Sequence, residues 1–276
     1  MDLYASLTPA MIVDRPFPHI VLEGAVPPEA CAELVRAFPP LDTFGAGLPD
    51  AKKVLRRSVH LAGLSEPLRG LIEAHVRPAA FAALARVFGQ AVRREYPGLE
   101  TRFGPLDALR VGQRHADGHD RCEVLLDAQP VVLAPVTRGV VGERGPHVKG
   151  TNKLLEGLLF LPDPADDTPG GEMELYEPVP GHRPRFGARN QTRPRGLRAV
   201  RAVPYRAGTL VVWVNTPRSL TRLAPRGASP WPVRFLSLPV QFPEPLFELP
   251  QNPGSLWGRV SGWLARRVTG RTGGGV

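Results

Sequence analysis

Gly145-Pro146-His147-Val148-Lys149-Gly150-Thr151-Asn152-Lys153-Leu154-Leu155-Glu156-Gly157-Leu158-Leu159-Phe160-Leu161 is the stretch whose reading decides the fold. A histidine and a lysine two residues apart stand before a mainly apolar run over 154–161, which reads as a strand. A turn over 163–169 follows, and then a second strand, Gly170-Gly171-Glu172-Met173-Glu174-Leu175-Tyr176. Further out lie Pro204-Tyr205-Arg206-Ala207-Gly208-Thr209-Leu210-Val211-Val212-Trp213, Asn215-Thr216-Pro217-Arg218-Ser219-Leu220-Thr221 and Pro232-Val233-Arg234-Phe235-Leu236-Ser237-Leu238. From 106 to 242 the chain reads as short strands broken by Gly, Pro and Asn/Asp turns, the signature of a double-sheet jelly roll.

The front of the chain has a different period. After Pro16-Phe17-Pro18-His19-Ile20-Val21-Leu22, which reads as a strand, Pro27-Pro28-Glu29 opens a helix with apolar residues Ala30, Cys31, Leu34, Val35 and Phe38 at helical spacing. Residues 39–64 read as an irregular connection, Ser65-Glu66-Pro67 starts a second helix, and 78–94 forms a third whose apolar face carries Phe81, Leu84, Val87, Phe88 and Val92. These helices are expected to buttress one sheet. The tail over 255–268 is amphipathic, with Trp257, Trp263 and Leu264 on one side and Arg259, Arg266 and Arg267 interspersed. The expected organisation is one compact domain: 1–104 as first strand and supporting helices, 105–243 as the β core, and 244–276 as the tail.

Taken together, these segments resemble the iron(II)/2-oxoglutarate oxygenases of the prolyl-hydroxylase-like type, over most of residues 15–242. The resemblance implies an all-β core with a helical buttress (α+β), folded as a double-stranded β-helix, that is, a jelly roll of the cupin-like kind. In that family the strand at His147 carries His-x-Asp, two corners of a facial triad. Here Lys149 stands at the Asp position and Thr221 at that of the distal histidine. An ammonium group cannot ligate Fe(II), and a lone imidazole holds it too weakly. Arg234 falls where the family keeps the arginine that pairs with the far carboxylate of 2-oxoglutarate. With Lys149 it would form an anion clamp that needs no metal.

Other residues offer few replacement ligands. A 2-His-1-carboxylate site needs two neutral imidazoles and a carboxylate on one face of the ion. Between 178 and 243 there is no Asp or Glu, and the only histidine is His182, expected to be exposed on a loop. His115 and Asp117 form the chain's one literal His-x-Asp, but Asp117-Gly118 between apolar runs reads as a hairpin tip, with glycine supplying a positive φ. His147, His60 and His75 each have the ordinary alternative of a structural histidine.

Charge adds a second theme. The chain has 276 residues and a formal net charge of +9, and 31 of its 35 basic residues are arginines. Twelve arginines fall within 178–243, where nothing acidic offsets them. Six of these (Arg183, Arg185, Arg189, Arg193, Arg195 and Arg198) share a Pro-rich loop expected to be extended and exposed. Such a surface attracts anions, so the expected partners are a small dicarboxylate or other anionic ligand, or an acidic protein or membrane surface. Nucleic acid is disfavoured, because Phe186 is the loop's only aromatic. The two cysteines, Cys31 and Cys122, suggest neither a disulfide framework nor a zinc site. Without a basic leader or a long apolar run, the expected location is the cytoplasm.

Three functional classes follow. The first is a non-catalytic pseudoenzyme of the oxygenase fold that binds a ligand or partner and needs no cofactor. The second is an active dioxygenase (hydroxylase) using Fe(II) and 2-oxoglutarate at a metal site reorganised around His182, His115 or Asp117. The third is a basic scaffold for an acidic partner or a membrane.

Overall fold

The computed structural model describes residues 1–41, 52–54, 63–135 and 145–252; His60 and the 255–268 tail lie outside them. The chain starts with β1 (His19–Leu22), α1 (Pro28–Arg36), β2 (Lys52–Val54), α2 (Glu66–Ala74), α3 (Pro78–Glu95) and α4 (Leu99–Phe103). It continues through β3 (Val111–Gln113), β4 (Val124–Leu126), β5 (Gln129–Leu133), β6 (Lys153–Phe160) and β7 (Met173–Pro178). The remaining strands are β8 (Leu197–Val203), β9 (Leu210–Val214), β10 (Leu220–Leu223), β11 (Val233–Ser237) and β12 (Val240–Gln241).

Three of the described helices, α1, α2 and α3, form where the sequence predicts them, whereas α4 (Leu99–Phe103) is one that it does not predict. Each of α1, α2 and α3 has proline in its first two positions, where a missing N–H leaves no hydrogen bond unmade. On α3, Ala80, Phe81, Leu84, Val87, Phe88, Ala91 and Val92 are buried at intervals of three and four. They join Leu155, Leu159, Leu210, Val212, Val214 and Leu236 in one cluster, so the helices cover the outer face of the larger sheet. Each fully buried Leu, Val or Phe contributes about 1.5–3 kcal/mol to that packing.

Among the described residues nine strands make the larger sheet, in the order β2-β5-β11-β6-β12-β4-β3, with β9 pairing β6 and β1 pairing β9. A three-stranded sheet, β10-β7-β8, faces it. Between the two lies a second apolar cluster. Val131, Leu158, Phe160, Val211, Trp213, Val233 and Phe235 come from the larger sheet, and Met173, Leu175 and Val203 from the smaller. The residues of the two clusters alternate along β9, over 158–160 of β6 and over 235–236 of β11, as a strand buried on both faces requires. At Gly170, with φ of +93°, an added Cβ would lie 2.4 Å from the Pro225 carbonyl oxygen. That close approach lays the 163–171 turn against Arg226, whose buried guanidinium pairs with Asp166.

Two expected elements are corrected. Within 39–64, read as an irregular connection, β2 pairs with β5 in the larger sheet. The segment around Asp117-Gly118 is not a hairpin tip, because β3 and β4 run parallel, with Val111 opposite Val124. Gly118 is not among the residues with positive φ. The Asp117 side chain instead accepts a hydrogen bond from the Gln113 amide at 2.9 Å, and the Arg121 and Cys122 amides donate to the Gly118 carbonyl. These successive tight turns return the chain to the sheet in its original direction.

Candidate functional site between the two sheets

The site is built from two facing rows of residues. On the smaller sheet His147 lies opposite Thr221, joined by two backbone hydrogen bonds of 3.0 Å. Thr221 is opposite Leu175, and Leu175 opposite Arg201. Cross-strand partners point to the same side, and Leu175 belongs to the apolar cluster between the sheets. His147, Thr221 and Arg201 therefore all face inward. The His147 ring is set by its Nδ1 contact with the Gly145 carbonyl at 3.3 Å.

On the larger sheet the facing row is Glu156, Trp213 and His19, again direct cross-strand partners. Two contacts link the rows. The Lys149 ammonium lies 5.7 Å from the Trp213 ring centroid, and Arg201 Nη1 lies 2.9 Å from His19 Nε2. The second contact fixes the His19 tautomer: Nε2 accepts from the guanidinium, so Nδ1–H donates to the Phe17 carbonyl at 2.8 Å. Burial, with the Arg201 charge adding to it, pushes the His19 pKa below its ordinary value of 6.5. The Trp213 indole N–H is buried in this space without a hydrogen-bond partner among the described residues.

Glu156 is wholly buried. Its carboxylate accepts from Lys153 Nζ and from Ser237 Oγ, each at 2.6 Å. Burial opposes its ionisation, but the charges of Lys153 and Lys149 and these two hydrogen bonds outweigh burial and bring its pKa down to about 2. None of Glu156, Trp213, His19 or Arg201 was singled out from the sequence. The available signal was Glu156 itself, the one carboxylate inside the apolar run over 154–161.

Arg234 is placed differently from the expected clamp. On β11 its neighbours Val233 and Phe235 point between the sheets, while its cross-strand partner Val132 belongs to the outer, helix-covered cluster. Its guanidinium lies 3.6 Å from Asp163. Lys149 and Arg234 thus sit on opposite faces of the larger sheet and cannot close on one ligand. Arg201 is the guanidinium that shares the interior with Lys149.

The other expected ligands are dispersed. His115 Nε2 lies 3.3 Å from the buried Asp127 carboxylate, Asp117 caps its own turn, and His182 is half-buried with its ring against Gly196. Among the described residues no three His, Cys, Asp or Glu side chains group around a point that could hold a metal ion. The donors at the expected corners are an imidazole, an ammonium and a hydroxyl, which do not fit Fe(II).

The arginines of 178–243 are partly neutralised from outside that segment. Arg198, Arg206, Arg218, Arg222, Arg226 and Arg234 pair with Glu177, Glu23, Glu95, Glu174, Asp166 and Asp163. Arg198 lies on β8, not in the loop. The loop's arginines are exposed, but the loop is anchored and turned: Phe186 is buried against Val148, Tyr176, Leu220 and Leu249, its amide donates to the Pro250 carbonyl at 2.8 Å, and a single turn, Ala188–Asn190, interrupts any extended course. No helix among the described residues is long and apolar enough to cross a membrane.

No protein-family model matches the sequence, and no curated protein matches it. Solved structures do match. A prolyl 4-hydroxylase of Phytophthora capsici overlays with a TM-score of 0.54 at 14% identity, covering 96% of this chain and 74% of that one. A Pseudomonas putida prolyl-4-hydroxylase gives 0.41 at 12% identity, covering 82% and 93%. The non-heme alpha-ketoglutarate-dependent epimerase SnoN of nogalamycin biosynthesis gives 0.45 at 15%, covering 81% and 78%. The first overlay, together with the two facing sheets and their helical cover, assigns the architecture: the chain has the double-stranded β-helix fold of the 2-oxoglutarate/Fe(II) oxygenases.

Proposed function

We propose that this protein is a pseudoenzyme of the oxygenase fold, which binds an anionic ligand between its sheets without a metal and does not oxidise it. The observation that carries this reading is the Lys149 ammonium above Trp213, beside the His147–Thr221 pair. If these three positions are the family's ligand corners, a cation fills one and a hydroxyl another. The same interior supplies what a carboxylate needs: the Lys149 ammonium, the Arg201 guanidinium held by a neutral His19, and the unpartnered Trp213 N–H. Glu156 answers part of this charge, since Lys149 and Lys153 both stabilise its carboxylate, whose oxygens are engaged by Lys153 and Ser237. A charged donor pair in a water-poor interior binds oxyanions far better than the same pair in water.

Three measurements test this. In calorimetry with 2-oxoglutarate as a dicarboxylate probe, under EDTA, wild type is expected to bind. Lys149→Ala and Arg201→Ala should each weaken binding at least tenfold, and Arg234→Ala should leave it unchanged. Fe(II) titration should show tighter metal binding in a Lys149→Asp, Thr221→His double variant than in wild type. Succinate formation from 2-oxoglutarate by the wild-type chain, with Fe(II), ascorbate and oxygen, would refute the reading in favour of an active hydroxylase.

A further inference from the structure

A second basic site lies outside the barrel, on the far side of the strand that carries His147. It is a cleft of about 520 Å³, lined by Arg185, Gln191, Thr192, Arg193, Arg222 and Asn252 among others, and among the described residues none that lines it is acidic. Its arginines are not equivalent. Arg222 is engaged by Glu174 at 2.9 Å and lies over the Tyr176 ring. Arg185 and Arg193 are exposed and have no ion pair among the described residues. After six arginines of the segment are neutralised from elsewhere, the uncompensated charge gathers on this loop.

The backbone presenting these two guanidinium groups is fixed. Phe186, next to Arg185, is buried. The Thr192 amide donates to the Pro146 carbonyl and the Gly187 amide to the Gln191 carbonyl, each at 2.8 Å. Between them Arg189 and Asn190 hold left-handed φ values of 58° and 55°, and the Asn190 side chain donates to the Lys149 carbonyl at 3.1 Å. Gly145 packs directly on this backbone, where an added Cβ would lie 2.7 Å from the Thr192 carbonyl oxygen. Like charges on a solvated coil separate freely. Here the fold holds them on one concave surface, where a bound anion relieves their repulsion.

We infer that this cleft binds a phosphorylated small molecule without an aromatic base, such as a sugar phosphate, through Arg185 and Arg193. Guanidinium forks match the oxygens of a phosphate dianion. The volume falls within the range of small-molecule sites, roughly 300–1,000 Å³. Among the described residues the lining contains no aromatic ring on which a nucleobase would stack, which disfavours nucleotides and single-stranded nucleic acid. The inference rests on the reading of the chain as a binding protein but uses different residues from the interior site.

The test is calorimetry with glucose 6-phosphate, under EDTA and in 150 mM salt on the order of physiological strength. Glucose and inorganic phosphate serve as comparison probes. Wild type should bind glucose 6-phosphate saturably, inorganic phosphate more weakly and glucose not at all. Arg185→Gln with Arg193→Gln should reduce affinity for glucose 6-phosphate at least tenfold while leaving the circular dichroism spectrum intact. Lys149→Ala should not change it, which separates this site from the interior one. Absence of saturable glucose 6-phosphate binding by wild type, or equal affinity in wild type and the double variant, would overturn the inference. So would anionic vesicles or polyphosphate being retained while glucose 6-phosphate is not.

Discussion

At the scale of the residue, Glu156 sets the character of the interior. A carboxylate with no exposure is tolerable only if its charge is answered at close range, and hydrogen bonds of 2.6 Å from the Lys153 ammonium and the Ser237 hydroxyl, together with the charge of Lys149, do this. Glu156→Gln would leave Lys153 and Lys149 without their counter-charge. Removing one partner of a buried pair costs about 3–5 kcal/mol, so the urea midpoint at pH 7 should fall clearly. Replacing both partners, Glu156→Leu with Lys153→Met, should recover much of that loss. If Glu156→Gln proves as stable as wild type, the ion pair is not structural. Arg226 with Asp166, whose side chains are also buried, invites the same comparison.

At the scale of the element, the loop between β7 and β8 is held by one aromatic anchor. Phe186→Ala should free it, since the ring's contacts with Val148, Tyr176, Leu220 and Leu249 are what tie the arginines to the strand of His147. Limited trypsin digestion should then cut within 183–195 at least several-fold faster than in wild type, and glucose 6-phosphate binding should weaken in parallel; unchanged cleavage would mean that the backbone hydrogen bonds alone hold the loop. This scale also shows where the sequence was legible. Apolar runs gave β6 and β9, and proline at helix starts with three-and-four spacing gave α1 to α3, because these signals depend on local pattern alone. The direction of Arg234 depended on register: one step along a strand moves a side chain to the other face. Asp117-Gly118 announced a turn but not the direction in which the chain leaves it, and Asp117's bond to Gln113 decided that. Arg201 and His19 lie 182 positions apart and meet only through the pairing of two sheets. No sequence window contains both.

Across the whole molecule, the buried ionisable groups predict how stability responds to acid. His19 and His75 are both buried, and burial pushes each pKa below 6.5. His75 is also fixed in place, accepting from the Leu3 amide at 2.9 Å and contacting the Leu71 carbonyl at 2.7 Å, so that it pins the chain's first residues to α2. For a histidine with a depressed folded-state pKa, the unfolded chain binds the proton first. The contribution to stability is therefore full above pH 6.5 and declines as pH falls below that value. Glu156 acts lower down: its pKa of about 2, against 4.5 unperturbed, gives a contribution that is complete above pH 4.5 and lost between there and about pH 2. Urea midpoints should accordingly fall in two stages on acidification, the first beginning near pH 6.5. Substituting His19→Gln and His75→Gln together should flatten the first stage whatever it does to stability at pH 8, because glutamine takes up no proton. The slope between pH 7 and pH 5 is thus the readout, and a slope unchanged by the double variant would mean that general repulsion in a chain of net charge +9, and not these two rings, governs its acid sensitivity.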